Sequence, residues 1–350
     1  MTSSAGAGLA PDPVTGTATL QRFTVLGAGA WGTTFAKVLA DAGRDVVLWA
    51  RRESVAADIN RTRRNSAYLG DTVLPDRVVA TSDLDTAMDQ ADAVAVAVPS
   101  QTLRENLTVF RHVLPAGVPV VSLAKGVEIG TGLRMSQVLR AVGQLADEQI
   151  VVLSGPNLAA EIAAGQPTAT VMACVDHRTA VSVQTASATG YFRPYTITDV
   201  IGAEIAGTAK NIIALATGIA EGLGLGLNTA ASLITRGLNE MTRLGVQLGA
   251  CAPTFAGLAG LGDLVATCSS PLSRNRRLGV QLGRGLSLED AQEATGALAE
   301  GVVSCRSTRD LAHRHGVDMP ITEAVYQVCY RHAGPERMIR SLMDRSPAPE

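Results

Sequence analysis

Three features of the 350-residue sequence predict an α/β chain with a doubly wound N-terminal domain and an all-α C-terminal domain. From Phe23 onward, short apolar β-branched runs alternate with helix-length amphipathic segments. A glycine-rich turn follows the first run, and beyond Ile201 the β-runs give way to Ala, Gly and Leu at helical spacing. Continuous apolar strands separated by helices are what a parallel sheet covered on both faces requires. The N-terminal domain is therefore expected to be Rossmann-like.

In order along the chain, residues 1–21 are small and polar, with Pro11 and Pro13, and lack the charged and apolar regions of a signal peptide. A disordered tail is expected there. Strands are expected over residues 23–26, 46–49, 94–98, 118–123 and 150–153, with 168–173 and 191–196 flanking one more helix and extending the same sheet. A dinucleotide-binding domain of residues 22–201 should pass, without a Pro/Gly linker, into a helical substrate domain of residues 202–344. One long helix beginning near Gly202 carries the chain across, and the active site is expected in the interdomain cleft. Residues 345–350 read as a second tail.

The length exceeds the ~250–300 residues at which single cores stop growing, in keeping with two domains. A net charge of −2 offers no basic footprint for nucleic acid and no polybasic membrane patch. No run of about 18 apolar residues is free of charge or Pro, so no membrane span is expected. The five Cys form no C-x-x-C pair, which argues against a disulfide framework or zinc site and for a reducing cytoplasm. No metal-ligand spacing appears. Of the 30 basic residues only Lys37, Lys125 and Lys210 are lysines. Arg keeps its charge in any protein environment, whereas Lys can shift its pKa, so each Lys invites scrutiny. Codon bias is the simpler explanation of the count.

Gly27-Ala28-Gly29-Ala30-Trp31-Gly32 follows the first strand and opens a helix. This places glycines where a tight turn, a close pyrophosphate approach and helix packing need them, and the helix start offers free N–H groups to phosphates. The second strand ends in Arg51-Arg52 rather than in the acid that holds a ribose 2′-hydroxyl. Two guanidinium groups suit a 2′-phosphate, so NADP(H) is favoured and NAD(H) remains possible. Solvated loop arginines are the alternative.

Lys210 lies in an otherwise apolar helix, where desolvation would lower its pKa into the range useful for proton transfer to a developing alkoxide. A snorkelling side chain or a structural ion pair would account for it equally well. Asp263, ending a Gly-punctuated apolar loop, could orient that ammonium or cap a helix. Ser273-Arg274-Asn275 opens another helix, combining a hydroxyl, a guanidinium, an amide and free backbone donors suited to a phosphate. A solvated basic helix face is the alternative here. Lys125-Gly126 and Ser154-Gly155-Pro156-Asn157 end strands at the sheet's carboxyl edge, where open α/β sheets bind ligands. The five His lie in polar stretches without such context, which leaves proton transfer to Lys. Lys37, one turn before Asp41, is assigned no function.

At these residues the chain resembles the bacterial-type NAD(P)-dependent glycerol-3-phosphate dehydrogenases, from Phe23 to about Tyr330. The motifs concerned include Val98-Pro99-Ser100, Lys210-Asn211, Leu233-Ile234-Thr235-Arg236-Gly237, the loop to Asp263 and Ala299-Glu300-Gly301. The resemblance implies an oxidoreductase interconverting sn-glycerol 3-phosphate and dihydroxyacetone phosphate and supplying glycerol 3-phosphate for phospholipid synthesis. It implies Lys210 as the acid/base and Lys125, Gly155, Asn157, Lys210, Asp263, Ser273, Arg274 and Asn275 as substrate contacts. Cofactor contacts would be Gly27, Gly29, Ala30, Trp31, Gly32, Arg51, Arg52, Lys125, Ala159, Arg274, Leu298 and Glu300, several of them through backbone alone. It further implies a cytoplasmic homodimer. Ala30 and Asn157 stand where the family often has Ser, and residues 224–228 vary a more polar stretch. A dinucleotide-binding sensor without catalysis, and a hydroxyacid or 6-phosphogluconate dehydrogenase, are the competing expectations. The second cluster of residues speaks against a sensor, which would need the glycine-rich turn alone.

Overall fold

The computed structural model describes residues 20–296 and 299–344, so most of the first expected tail, all of the second and Leu298 lie outside the described residues. The first half runs β1 (Arg22–Leu26), α1 (Ala30–Asp41), β2 (Asp45–Trp49), α2 (Glu53–Thr62), α3 (Ser66–Leu69), β3 (Val78–Thr81), α4 (Leu84–Met88), β4 (Ala93–Val96) and α5 (Leu103–Phe110). It continues through β5 (Val120–Ser122), α6 (Met135–Gly143), β6 (Ile150–Ser154), α7 (Ala159–Ala163), β7 (Thr168–Ala173), α8 (His177–Ser187) and β8 (Phe192–Ile197). Helices follow: α9 (Val200–Gly222), α10 (Leu227–Gln247), α11 (Ala252–Ala256), α12 (Asp263–Ser269) and α13 (Arg274–Gly283). The last four are α14 (Leu288–Thr295), α15 (Glu300–Arg314), α16 (Pro320–Arg331) and α17 (Pro335–Met343).

The eight strands form one sheet in the order β3-β2-β1-β4-β5-β6-β7-β8. The direction of winding reverses between β1 and β4, which opens a crevice beyond their carboxyl ends where such sheets bind ligands. Apolar clusters cover both faces: Phe23, Val25, Phe35 and Leu48 belong to one, Leu26, Val94, Val96 and Phe110 to the other. This two-sided burial is why the strands read as unbroken apolar runs. Leu20 is buried in the first of these clusters.

Two features depart from the sequence expectation. β3 is a further strand at the sheet edge, and its four residues alternate between buried and exposed, too short a pattern to stand out. The sheet is also not wholly parallel, since β7 runs antiparallel to β6 while β8 pairs parallel to β7. Runs of apolar residues carry no information on strand direction.

α9 is the central beam of the second half, with every residue from Gly202 to Ala220 buried. Among the described residues it is the one helix long and apolar enough to cross a membrane, with mean hydropathy 1.2, yet 94% of that window is buried inside the protein. Asp199 caps its start, accepting from the N–H of Gly202 at 2.9 Å, and also holds Cys251 N–H and Thr254 Oγ1. Glu204 ties the helix to α6: it accepts from Ser136 N–H at 2.7 Å and from Ser136 Oγ, and forms an ion pair with Arg134. At the far end α9 crosses α13 at close range. Gly218 and Gly222 face Gly279 and Gly283, and a Cβ on any of the four would overlap backbone of the opposite helix.

Candidate active site

The Gly27–Gly32 turn is tied to β2 at its first residue. Gly27 has φ of +121°, open to glycine but strained for other residues, and its N–H donates to Trp49 O at 3.1 Å. A Cβ on Gly32 would overlap the Gly27 carbonyl, whereas at Gly29, the N-cap of α1, the space in front of the backbone is open. Open approach at Gly29 beside the first turn of α1 fits a pyrophosphate. The indole N–H of Trp31 is buried and has no acceptor among the described residues, a polar atom placed for a ligand. Ala159 begins α7, and its carbonyl accepts from Thr34 Oγ1 in α1 at 3.2 Å, so its backbone borders the same crevice.

Arg51 and Arg52 are both exposed at the carboxyl end of β2. Two arginines of the following segment, by contrast, are engaged. Arg61 pairs with Asp58, and Arg63 donates to the carbonyls of Val78, at 2.7 Å, and of Leu74.

The second cluster brings together residues far apart in sequence. Lys125, just beyond β5, donates to Gly155 O at 3.2 Å and to Asp263 Oδ2 at 2.6 Å. Lys210 donates to Asp263 Oδ1 and, at 2.9 Å, to Thr267 Oγ1. One carboxylate, 1% exposed, therefore bridges two ammonium groups. Asp263 is the first residue of α12, with Gly262 at the N-cap, so its side chain serves the lysines rather than capping the helix. A π-helical turn, Leu258–Gly262, delivers it into the cleft. Burial lowers the Lys210 pKa from its ordinary 10.5 to about 8; Asp263 opposes that shift and Lys125 adds to it.

Ser273 caps α13 by accepting from Arg276 N–H at 3.3 Å. Asn275 lies between three helices, donating to Asn211 Oδ1 on α9 and accepting from Gly301 N–H on α15, both at 2.9 Å. One amide N–H of Asn275 is left for another acceptor. Arg274 is exposed, whereas Arg276 is paired with Glu221 and so unavailable. Glu300 opens α15, and burial raises its carboxyl pKa, with the charges of Arg274, Lys125 and Lys210 acting against that shift. Both polar atoms of the Asn157 side chain are buried without a partner among the described residues. Asn157 and Asn275 thus both keep hydrogen-bonding capacity that the protein does not use.

The expected substrate residues Lys125, Gly155, Lys210 and Asp263 form one connected network. Asn275 reaches Asn211, the neighbour of Lys210 on α9, while Ser273 and Arg274 precede it at the start of α13. Sequence reading gave no part to Thr267, a threonine in an apolar helix, or to Asn211, quoted only as part of a motif. Lys37 pairs instead with Asp41 at 2.6 Å, and Asp41, which also accepts from Tyr191 Oη, fastens α1 to the segment before β8. A cavity of about 290 Å³ between α15 and α16 is lined in part by Arg309 and Glu323, which already pair with each other.

Models described as the N-terminus and C-terminus of NAD-dependent glycerol-3-phosphate dehydrogenase match residues 22–180 and 199–340. A protein of Corynebacterium urealyticum named glycerol-3-phosphate dehydrogenase, NAD(P)+, is 58% identical over 327 residues, 93% of this chain and 98% of its own. A Streptomyces coelicolor protein of the same name is 54% identical, covering 93% of this chain and 97% of its own. The crystal structure of glycerol-3-phosphate dehydrogenase from Coxiella burnetii superposes with a TM-score of 0.89 at 36% identity, covering 93% of this chain and 99% of that one.

Proposed function

The chain belongs to the NAD-dependent glycerol-3-phosphate dehydrogenase family, and from that premise we propose that Lys210 is the residue that moves the proton. The reaction is the interconversion of sn-glycerol 3-phosphate and dihydroxyacetone phosphate with NAD(P)(H). Supply of glycerol 3-phosphate to phospholipid synthesis, in a cytoplasmic homodimer, completes the proposal on the strength of the resemblance. The single observation that carries the Lys210 role is its burial against Asp263 and Thr267, which gives an ammonium with a pKa of about 8 in a water-poor cleft.

A nicotinamide cofactor held at the glycine-rich turn would supply the hydride-transfer chemistry of the reaction. In the reducing direction Lys210 donates a proton to the C2 oxygen of dihydroxyacetone phosphate; in oxidation its neutral amine takes that proton back. Asp263 and the Thr267 hydroxyl together hold the ammonium, so the donor is oriented before substrate arrives. Arg274, the Ser273 hydroxyl, the free N–H of Asn275 and the start of α13 hold the phosphate. Binding energy from that remote group positions the carbonyl. Gly155, whose carbonyl accepts from Lys125, and Asn157, with its unused amide, add further substrate contacts. The exposed Arg51 and Arg52 favour the 2′-phosphate of NADP(H), with Gly27, Gly29, Ala30, Trp31, Gly32, Ala159, Leu298 and Glu300 as further cofactor contacts.

Following NADPH and NADH absorbance with dihydroxyacetone phosphate tests this reading. Wild type should oxidise both, NADPH with the higher kcat/KM. Lys210→Ala should lose at least about a hundredfold in kcat yet still bind cofactor. Arg274→Ala should act mainly on the KM of the phosphorylated substrate. Near-normal turnover by Lys210→Ala, or an unchanged KM in Arg274→Ala, contradicts the corresponding role.

A further inference from the structure

Asn65 connects a distant loop to the glycine-rich turn. It is 4% exposed and stands at the N-cap position of α3, yet its side chain makes no capping bond to that helix. Its amide instead donates to the carbonyl of Ala28, at 2.9 Å, and to Thr33 Oγ1, at 2.8 Å. One contact lies within the Gly27–Gly32 turn and the other in the first turn of α1, so one planar amide spans the two segments that present N–H groups toward the crevice. Thr33 is fully buried, which leaves its hydroxyl dependent on protein partners.

The loop bearing Asn65 is itself anchored. Arg63 takes a left-handed conformation, φ +56°, and its guanidinium donates to the carbonyls of Val78, Leu74 and Pro75. Arg64 bridges to Val73, and the N–H of Leu74 donates back to Arg63 O at 2.8 Å. Asn65 thus reaches the turn from a segment locked to the strand at the sheet edge, which makes it a brace rather than an adaptable contact.

We propose that Asn65 is a positioning residue for the dinucleotide: it fixes the orientation of the Ala28 peptide and the first turn of α1, and so presets their N–H groups for the pyrophosphate. The inference rests on the assignment of Gly27–Gly32 as the dinucleotide turn. Preorganised donors bind an anion without the cost of ordering them. Loss of the brace should therefore weaken cofactor binding and spare the chemical step once cofactor is saturating.

Asn65→Ala and Asn65→Asp, the latter isosteric but with a carboxylate that only accepts, should each raise the Kd for NADPH and NADH about tenfold in fluorescence titration. Both cofactors should weaken in parallel because the brace acts at the pyrophosphate that they share. kcat at saturating cofactor and the KM for dihydroxyacetone phosphate should stay within about twofold of wild type. A thermal melt separates this from general loosening. A fall in Tm with both Kd values unchanged makes Asn65 merely structural and overturns the proposal, as does a loss of kcat at saturation with unchanged Kd. Should both Asn65 variants fail to fold, Thr33→Val removes one acceptor while keeping the shape of α1. It should shift both Kd values in the same direction by a smaller factor, and unchanged values would overturn the proposal. Failure of wild type itself to bind NADPH or NADH would reject the turn assignment, an outcome distinct from a brace that does nothing.

Discussion

Asp263 sets the charge balance of the reaction cluster, because its single carboxylate faces Lys125 and Lys210 at once. Removing one member of a buried ion network leaves uncompensated charge, at a cost of about 3–5 kcal/mol. Asp263→Asn should accordingly lower stability in denaturant melts by an amount in that range and reduce kcat at least about a hundredfold, with a smaller effect on cofactor Kd. A stable variant of normal kcat would show that the carboxylate neither holds the lysines nor orients the proton. Lys210 was legible in the sequence because an ammonium in a helix as apolar as α9 is desolvated, and Lys125 because it ends a strand at the carboxyl edge of the sheet. Asp263 was legible as a candidate, but its double grip was not, since it and Lys125 are 138 positions apart. Thr267 and Asn65 carried no signal, because a threonine in an apolar helix and an asparagine in a polar loop look ordinary until their partners are seen.

The helices position these residues through close packing more than through local propensity. α9 carries Lys210 and Asn211, and α13 carries Ser273, Arg274 and Asn275; the two cross with Gly218 and Gly222 against Gly279 and Gly283. Any side chain there must push the helices apart, and overpacking of this kind costs about 1–3 kcal/mol. Gly279→Ala should lower Tm and raise the KM for the phosphorylated substrate while leaving cofactor affinity unchanged. A Tm and KM equal to wild type would mean that the crossing tolerates a methyl group and does not set the cleft. At this scale the long helix near Gly202 and seven of the strands followed from apolar periodicity. β3 did not, because an edge strand of four residues has one face in solvent. The reversal at β7 had no counterpart in the sequence, since strand direction is set by how connections pack.

For the molecule as a whole, the parallel part of the sheet and the helical half divide the chemistry. The carboxyl ends of β1 and β2 offer the glycine turn and two exposed arginines; beyond β5, Lys125 joins the Gly155 carbonyl after β6 to Asp263 of α12, which Lys210 of α9 also meets. Glu204 and Arg134 join the halves near this line, so the cleft is braced by a buried ion pair. Proton transfer by Lys210 is the claim on which the account depends, and its depressed pKa gives a direct reading. Reduction needs the ammonium and should fall as pH rises past about 8, whereas oxidation needs the amine and should rise over the same interval. Unfolding does not mimic the first limb. A lysine with a folded pKa of about 8, against its ordinary 10.5, binds fewer protons in the native state between those values, so its contribution to stability grows with pH in that window. The most direct measurement is therefore kcat/KM in both directions from pH 6 to 10 for wild type and Lys210→Arg. Opposite limbs meeting near pH 8 in wild type, and residual activity in Lys210→Arg close to that of Lys210→Ala, are the expected result. Parallel limbs in the two directions, or an arginine variant that reduces dihydroxyacetone phosphate at near the wild-type rate, would contradict it.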